Sequence, residues 1–158
     1  MGRVYTIEFD NVAIAASTTD LIELDAATDL PCTVLGWEIG QSTELGDAAE
    51  EGLRMRWVRG NTTSGSGGTA TTPRPCDPSD AAAGFACEVG NTTAASAGTA
   101  VNLHSMAWNI RMPWAVWLPD RCGYGFSGST LLVCRLVASP ADSVSFSGTV
   151  WVLEGGLS

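Results

Sequence analysis

The residues that could do chemistry are few and lie far apart in the sequence. His104 is the only histidine, so a metal site built from several imidazoles is excluded by count. A Ser/His/Asp triad would have to use this one residue, and no Gly-x-Ser-x-Gly sequence accompanies it. The glycine-rich residues 65–68 lack the lysine of a phosphate-binding loop. The sequence therefore predicts no catalytic residue, no cofactor and no metal, and His104 is interpreted as a structural residue at a strand bend.

The one cluster of carboxylates consists of Glu44, Asp47, Glu50 and Glu51. Its spacing differs from the alternating ligands of a calcium loop. Residues 43–51 are predicted to form one or two helical turns with Asp47 as N-cap, so a solvated helical face explains the charges. A divalent ion held at a subunit interface is the alternative.

The five cysteines do not form a recognisable framework. Their number is odd and no Cys-x-x-Cys spacing occurs. Cys32 and Cys134 lie in apolar runs and are predicted to be core residues, whereas pairing of Cys76 with Cys87 stays open. No apolar run is long enough to span a bilayer, and the first ten residues alternate like a strand instead of a signal peptide. We expect synthesis in a cytosol and no membrane partner.

The charge of the chain limits its partners. The formal net charge is −9, the isoelectric point is about 4.3, and all eight basic residues are arginines. No basic patch is visible, which argues against a nucleic-acid partner. Arginine is thus the only permanent cation available for an interface.

Apolar residues alternate with polar ones along much of the chain, as expected for half-buried β-strands. In residues 53–58 the arginines face away from Leu53, Met55 and Trp57, and a change of phase near His104 predicts a bulge. The sequence predicts one all-β domain over residues 1–158, an antiparallel β-sandwich with a jelly roll as the first choice. A further helical turn is expected at residues 78–83. The candidate strands are residues 4–9, 12–16, 21–24, 32–39, 53–58, 85–89, 100–110, 114–118, 130–137 and 143–153.

Two polar loops interrupt this pattern. Residues 61–75 (NTTSGSGGTATTPRP) and residues 91–100 (NTTAASAGTA) consist almost entirely of small and hydroxyl-bearing residues. Such loops are too polar for a core, so we expect contact or spacer elements on a rigid scaffold. The shared Asn-Thr-Thr is too short to predict a structural repeat.

Tryptophans supply candidate contact residues. Trp57 and Trp108 are predicted to fill the core. Trp114 and Trp117 are three residues apart between two prolines, so their side chains should point to opposite faces of a strand and at least one should face outward. Trp151 is expected on the same strand face as its polar neighbours Ser145, Ser147 and Thr149. Exposed tryptophans indicate a subunit interface or a sugar platform. The interface is favoured because no polar pair in the sequence marks a sugar site.

Arginines and the longer loop supply the other candidates. Arg54, Arg56 and Arg59 are expected on one strand face, where they could pair with carboxylates of a neighbouring subunit. The loop that contains Asn61 and Arg74 is expected to lie on a partner protein.

A resemblance covers most of the chain. Residues 46–99 read GDAAEEGLRMRWVRGNTTSGSGGTATTPRPCDPSDAAAGFACEVGNTTAASAGT, and this block resembles small proteins encoded among the head-morphogenesis genes of tailed bacteriophages and prophages. The segments VYTIEF near the start and LLVCRLVASPADS at residues 131–143 are similar as well. The additional cysteines and tryptophans of this chain depart from that pattern.

The resemblance implies a capsid decoration, or cement, protein. Such a protein is a compact β domain, often a homotrimer, that binds the major capsid protein on the outer shell and stabilises the shell against the pressure of the DNA. The expected location is the virion surface after synthesis in the bacterial cytoplasm. Two alternatives stay open: a tail or head-fibre component, and a carbohydrate-binding sandwich that uses Trp114, Trp117 or Trp151.

Overall fold

Twelve β-strands make up the regular structure of the residues described below. The computed structural model describes residues 2–15, 19–43, 52–119, 121–138, 140–141 and 143–155. These residues contain no helix. The strands are β1 (Arg3–Ile14), β2 (Asp20–Ala26), β3 (Cys32–Gln41), β4 (Gly52–Asn61), β5 (Thr69–Thr71), β6 (Arg74–Pro75), β7 (Phe85–Asn91), β8 (Val101–Asn109), β9 (Trp114–Trp117), β10 (Tyr124–Phe126), β11 (Leu131–Leu136) and β12 (Val144–Glu154).

The strands form two antiparallel sheets that pack face to face, which confirms the predicted β-sandwich. Sheet 1 has the order β10-β3-β12-β1-β6, and β9 pairs with the other half of β3. Sheet 2 has the order β5-β7-β2-β11-β4-β8. The strand pairings described are antiparallel. Because a strand is pleated, successive side chains point to opposite faces of each sheet.

Alternating apolar residues of both sheets fill the space between them. Trp37 of sheet 1 is fully buried, and its ring centroid lies 5.2 Å from that of Trp57 and 5.3 Å from that of Trp114. Cys32 and Cys134 are buried in the same core, as predicted. Each large apolar side chain of this kind contributes roughly 1.5–3 kcal/mol when it leaves water.

Several strand predictions are confirmed with small changes. The bulge expected near His104 is present, because Trp57 pairs with His104 whereas Val58 pairs with Asn102. The two segments predicted at residues 4–9 and 12–16 belong to the same strand, β1, which continues past an irregularity at Asn11 (φ 51°).

Other predictions need correction. Residues 61–75 are not a plain loop, because they contain β5 and β6, which add to opposite sheets. Strand β10 was missed as well. Residues 78–83 do not form a helical turn; Asp80 N–H donates to the Asp77 carbonyl at 3.0 Å, which closes a turn. The predicted helix at residues 43–51 and its four carboxylates lie outside the described residues, apart from Thr43.

Candidate functional site

The two polar loops pack against each other on the outer face of sheet 2. We call residues 60–71 and 90–101 the paired loops. Aligned with each other, they are identical at eight of twelve positions, so they form an internal repeat that the sequence reasoning wrongly dismissed. Each begins with a glycine of positive φ, Gly60 at 104° and Gly90 at 72°, a conformation that glycine adopts without strain.

The hydrogen bonds between the paired loops are symmetric. Thr63 and Ser96 exchange two backbone hydrogen bonds, both 2.9 Å, and Ser66 and Thr93 exchange another two, of 3.1 and 3.0 Å. The positions obey a local twofold relation, since Thr63 corresponds to Thr93 and Ser66 to Ser96. The strand order agrees: one loop links β4 to β5 and the other links β7 to β8, with β2 and β11 between them.

A second, smaller apolar cluster lies beneath the paired loops. It consists of Val58, Ala95, Leu131 and Val133, all buried and separate from the main core. Strand β11 is therefore covered on both faces. Because the loops exclude water from this side of the sheet, they are part of the folded framework and do not act as spacers.

Glu23 anchors one half of the paired loops. Its carboxylate is buried on β2 and accepts hydrogen bonds from Ser64 Oγ, from Gly65 N–H at 2.9 Å and from Asn91 Nδ2 at 3.2 Å. Partial burial of Asp25 raises the pKa of its carboxyl above the ordinary value, and the negative charge of Glu23 raises it further.

Asp20 anchors the other half. It accepts the Ala95 N–H at 2.7 Å, and Arg135 donates to it from Nε at 2.6 Å and from Nη2 at 2.9 Å. Arg135 also donates to the Ala95 carbonyl at 2.8 Å, so both backbone groups of Ala95 are held. These hydrogen bonds to Asp20 raise the pKa of Arg135, which stays charged.

The solvent side of the paired loops is uncharged. The hydroxyl-bearing positions that repeat between the loops are all exposed: Thr62, Thr63, Ser66 and Thr69 in the first loop, and Thr92, Thr93, Ser96 and Thr99 in the second. Asn61, a predicted contact residue, is instead buried and donates from Nδ2 to the Ala97 carbonyl at 3.2 Å. It holds the loops together and does not face a partner.

No protein-family model and no curated protein matches this chain.

A second exposed surface lies on the outer face of sheet 1, on the opposite side of the sandwich. The strand register places Arg74, Thr6, Trp151, Gly36 and Trp117 in one row across β6, β1, β12, β3 and β9. Trp117 is 62% exposed, and its ring centroid lies 4.5 Å from that of half-buried Trp151 at an interplanar angle of 41°. We call the surface around this pair the tryptophan face.

Gly36 allows the two rings to meet. A Cβ atom at this position would lie 2.8 Å from Cε3 of Trp117 and 2.7 Å from the Val116 carbonyl oxygen. The Trp117 ring therefore extends over the glycine backbone towards Trp151.

Three polar residues and an alanine occupy the adjacent row on the same face. Glu8, Thr149, Glu38 and Ala115 are cross-strand neighbours in that order on β1, β12, β3 and β9. They border a shallow depression of about 480 Å³, whose lining includes the backbone of Gly40 and Gly148. Among the residues that the structure describes, neither Glu8 nor Glu38 has a hydrogen-bond or ion-pair partner.

Two further predicted contact residues are corrected. Trp114 is 2% exposed and lies in the core, so Trp117 is the outward member of that pair. Arg59 does not share a face with Arg54 and Arg56, because positions an odd number apart on a strand face opposite ways. Its Nη1 donates to the Gly125 carbonyl of sheet 1 at 3.0 Å, which ties the sheets together.

The other reactive groups are one histidine and five thiols, of which those of Cys32, Cys87 and Cys134 are buried. His104 lies among Trp37, Trp114 and Tyr124, and its Nδ1 is 2.9 Å from the Tyr124 hydroxyl. Within the described ranges no three His, Cys, Asp or Glu side chains are placed to hold a metal, and no helix could cross a membrane. All five thiols are free, including those of Cys76 and Cys87.

The residues that sequence reasoning missed are mainly acidic. Asp20, Glu23 and Glu38 received no role, because nothing in a local pattern distinguishes a buried anchor from a solvated carboxylate. An alignment of residues 60–71 with residues 90–101 would have revealed the repeat and drawn attention to what lies beneath it.

Proposed function

We propose that this chain is a non-enzymatic structural protein of a phage virion, which binds the outer capsid surface and stabilises it. The observation that supports the proposal is the surface of the paired loops. It is a fixed, uncharged array of hydroxyl groups anchored by buried carboxylates to a β-sandwich. Such a surface pays little conformational entropy on binding, which suits repeated attachment to a lattice of identical subunits.

The strand order supports a jelly roll as the finer description of the fold. Strands β1, β12, β3 and β9/β10 face β2, β11, β4 and β8. When β5, β6 and β7 are left out as an insertion between β4 and β8, this strand order agrees with that of a jelly roll, in which two Greek keys interleave. Viral capsid proteins are among the domains that have jelly rolls.

The proposed partner is the major capsid protein, and the proposed contact is the paired loops with Arg54 and Arg56 beside them on sheet 2. The two arginines supply cations to a face whose hydroxyl groups are neutral. The net charge of −9 disfavours adsorption to DNA, so contact with protein subunits is favoured. The proposed oligomer is a homotrimer, as the resemblance implies, and light scattering of the purified protein measures it directly.

Shell binding can be tested with substitutions that leave the framework intact. Ser66→Arg and Ser96→Arg each place a large charged side chain at an exposed position of one loop. Ser129→Arg is the matched control, because Ser129 is exposed and belongs to the turn between β10 and β11, outside the paired loops. Cosedimentation with empty shells of the phage that encodes the chain gives the occupancy.

We expect wild type and Ser129→Arg to saturate the shells and the double variant Ser66→Arg/Ser96→Arg to lose most occupancy. Full occupancy of the shells by the double variant would show that the paired loops are not part of the contact. If wild-type protein does not bind shells but sediments with purified tails, the protein would be assigned as a tail component instead of a capsid decoration protein.

A further inference from the structure

We propose that the tryptophan face binds a neutral, β-linked saccharide. This face lies on sheet 1, across the sandwich from the paired loops on sheet 2, so the inference does not depend on the proposed capsid contact. It gives the chain a second binding activity, directed away from the shell.

The two rings provide the apolar part of the site. Their centroids are 4.5 Å apart at an interplanar angle of 41°, closer than two coplanar indoles lying side by side can approach, so the Trp117 ring packs on Trp151. Trp117, which is 62% exposed, therefore presents the accessible aromatic face. In an all-equatorial pyranose the axial C–H bonds make both ring faces apolar, and such a face packs on an indole without loss of hydroxyl hydration. Tryptophan combines this large apolar area with few rotatable bonds, which keeps the entropic cost of binding low.

The adjacent row provides the polar part. Residues two apart on one strand face are about 7 Å apart, so Glu38 and Thr149 lie within reach of a sugar stacked on the tryptophans. A carboxylate accepts hydrogen bonds from two hydroxyl groups, and Glu38 has no described partner that competes for it. The sequence alone showed no polar pair beside the tryptophans, and a subunit interface was favoured for that reason. The strand register supplies such polar residues.

The depression beside the rings has room for a further sugar unit. Its volume of about 480 Å³ falls within the range of small-ligand sites, and Gly40 and Gly148 leave its lining open. Glu8, Asp10 and Glu38 lie around it, so sulfated, phosphorylated or sialylated chains would be repelled. The carboxylates therefore argue against an anionic ligand.

Two other occupants fit this face less well. An aromatic cage for a cation needs rings that face each other across a gap, whereas these rings contact one another. A second copy of the chain, with a net charge of −9, would bring the acidic residues of two depressions together.

The test is calorimetric titration of the intact protein with cellohexaose, the fully N-acetylated chitohexaose and, as an anionic probe, sialyllactose. Trp117→Ala removes the exposed ring, and Glu38→Gln removes the carboxylate charge. Met112→Ala and Asp29→Asn are matched controls, since both side chains are exposed and lie outside the face. Light scattering of each variant reports its mass, and circular dichroism checks its fold.

We expect saturable binding of at least one neutral hexamer, lowered about tenfold by Trp117→Ala and about threefold by Glu38→Gln, with both controls unchanged. Trp117→Ala should still occupy shells, and Ser66→Arg/Ser96→Arg should still bind the saccharide. Three results would each overturn the inference: no neutral saccharide binds, Trp117→Ala changes the solution mass, or Trp117→Ala loses shell occupancy.

Discussion

Asp20 provides the sharpest test of how the paired loops are held. Its side chain is fully buried, and its removal in Asp20→Ala orphans the Ala95 N–H and takes the counter-ion from Arg135. A buried, unpaired N–H costs about 1–3 kcal/mol. Loss of a partner from a fully buried ion pair costs about 3–5 kcal/mol, and the cost here is smaller because the Arg135 side chain is 24% exposed and keeps the Ala95 carbonyl. We expect a decrease of about 3 kcal/mol in the free energy of unfolding.

Urea denaturation measures this change. With a slope near 2 kcal/mol per molar urea, the midpoint should fall by about 1.5 M. Asp20→Asn keeps an oxygen for the Ala95 N–H but loses the charge and the acceptor for the Arg135 Nε–H, so its midpoint should lie between those of wild type and Asp20→Ala. Glu38→Gln is the control, since it removes one exposed negative charge and should change stability by less than about 0.5 kcal/mol.

Hydrogen exchange locates the effect. The amides of Thr63, Ser66, Thr93 and Ser96 join the two loops, so they should lose protection in Asp20→Ala before the core strands do. A change in stability under about 1 kcal/mol, or unchanged protection at these amides, would refute the role assigned to Asp20.

Three further predictions concern other parts of the molecule. Gly36→Ala should displace the Trp117 ring, because the new Cβ would lie 2.8 Å from Cε3 of that ring. The exciton signal of the tryptophan pair in circular dichroism should therefore weaken, and an unchanged signal would contradict the packing described. Thiol titration of native protein at pH 8 should modify two exposed cysteines, Cys76 and Cys122. Burial raises the pKa of Cys32 to about 12, so its thiol should stay unreactive, and early labelling of any buried thiol would refute that burial. Burial and Glu23 raise the pKa of Asp25, so the folded state binds this proton more tightly than the unfolded state and loses stability as the pH rises through the shifted pKa. Asp25→Asn should therefore stabilise the protein at pH 7, with a gain that disappears below pH 3.8, and thermal unfolding that shows no gain at pH 7 would contradict the sign.

The shell assay and the saccharide titration use faces on opposite sheets, so each can fail alone. Ser66→Arg and Ser96→Arg alter sheet 2, whereas Trp117→Ala and Glu38→Gln alter sheet 1. The results therefore separate the proposed capsid contact from the proposed saccharide site.

The alternation of apolar residues was sufficient to predict the sandwich. Leu53, Met55 and Trp57 face inward as their spacing required, and Trp151 faces outward, because the two-residue period of a strand is a local property of the chain. The same property determined that one of Trp114 and Trp117 would be exposed, but not which one.

Only the tertiary structure decided which polar residues meet. Asp20 and Arg135 are 115 positions apart, and Glu38 becomes a neighbour of the tryptophan pair only through the pairing of β3 with β9 and β12. Strands β5 and β6 have too few residues to show a period of their own, and they exist because β7 and β1 offer them hydrogen-bonding edges. Local sequence thus determined which residues face inward, whereas strand register, which depends on contacts between distant segments, determined the paired loops and the tryptophan face.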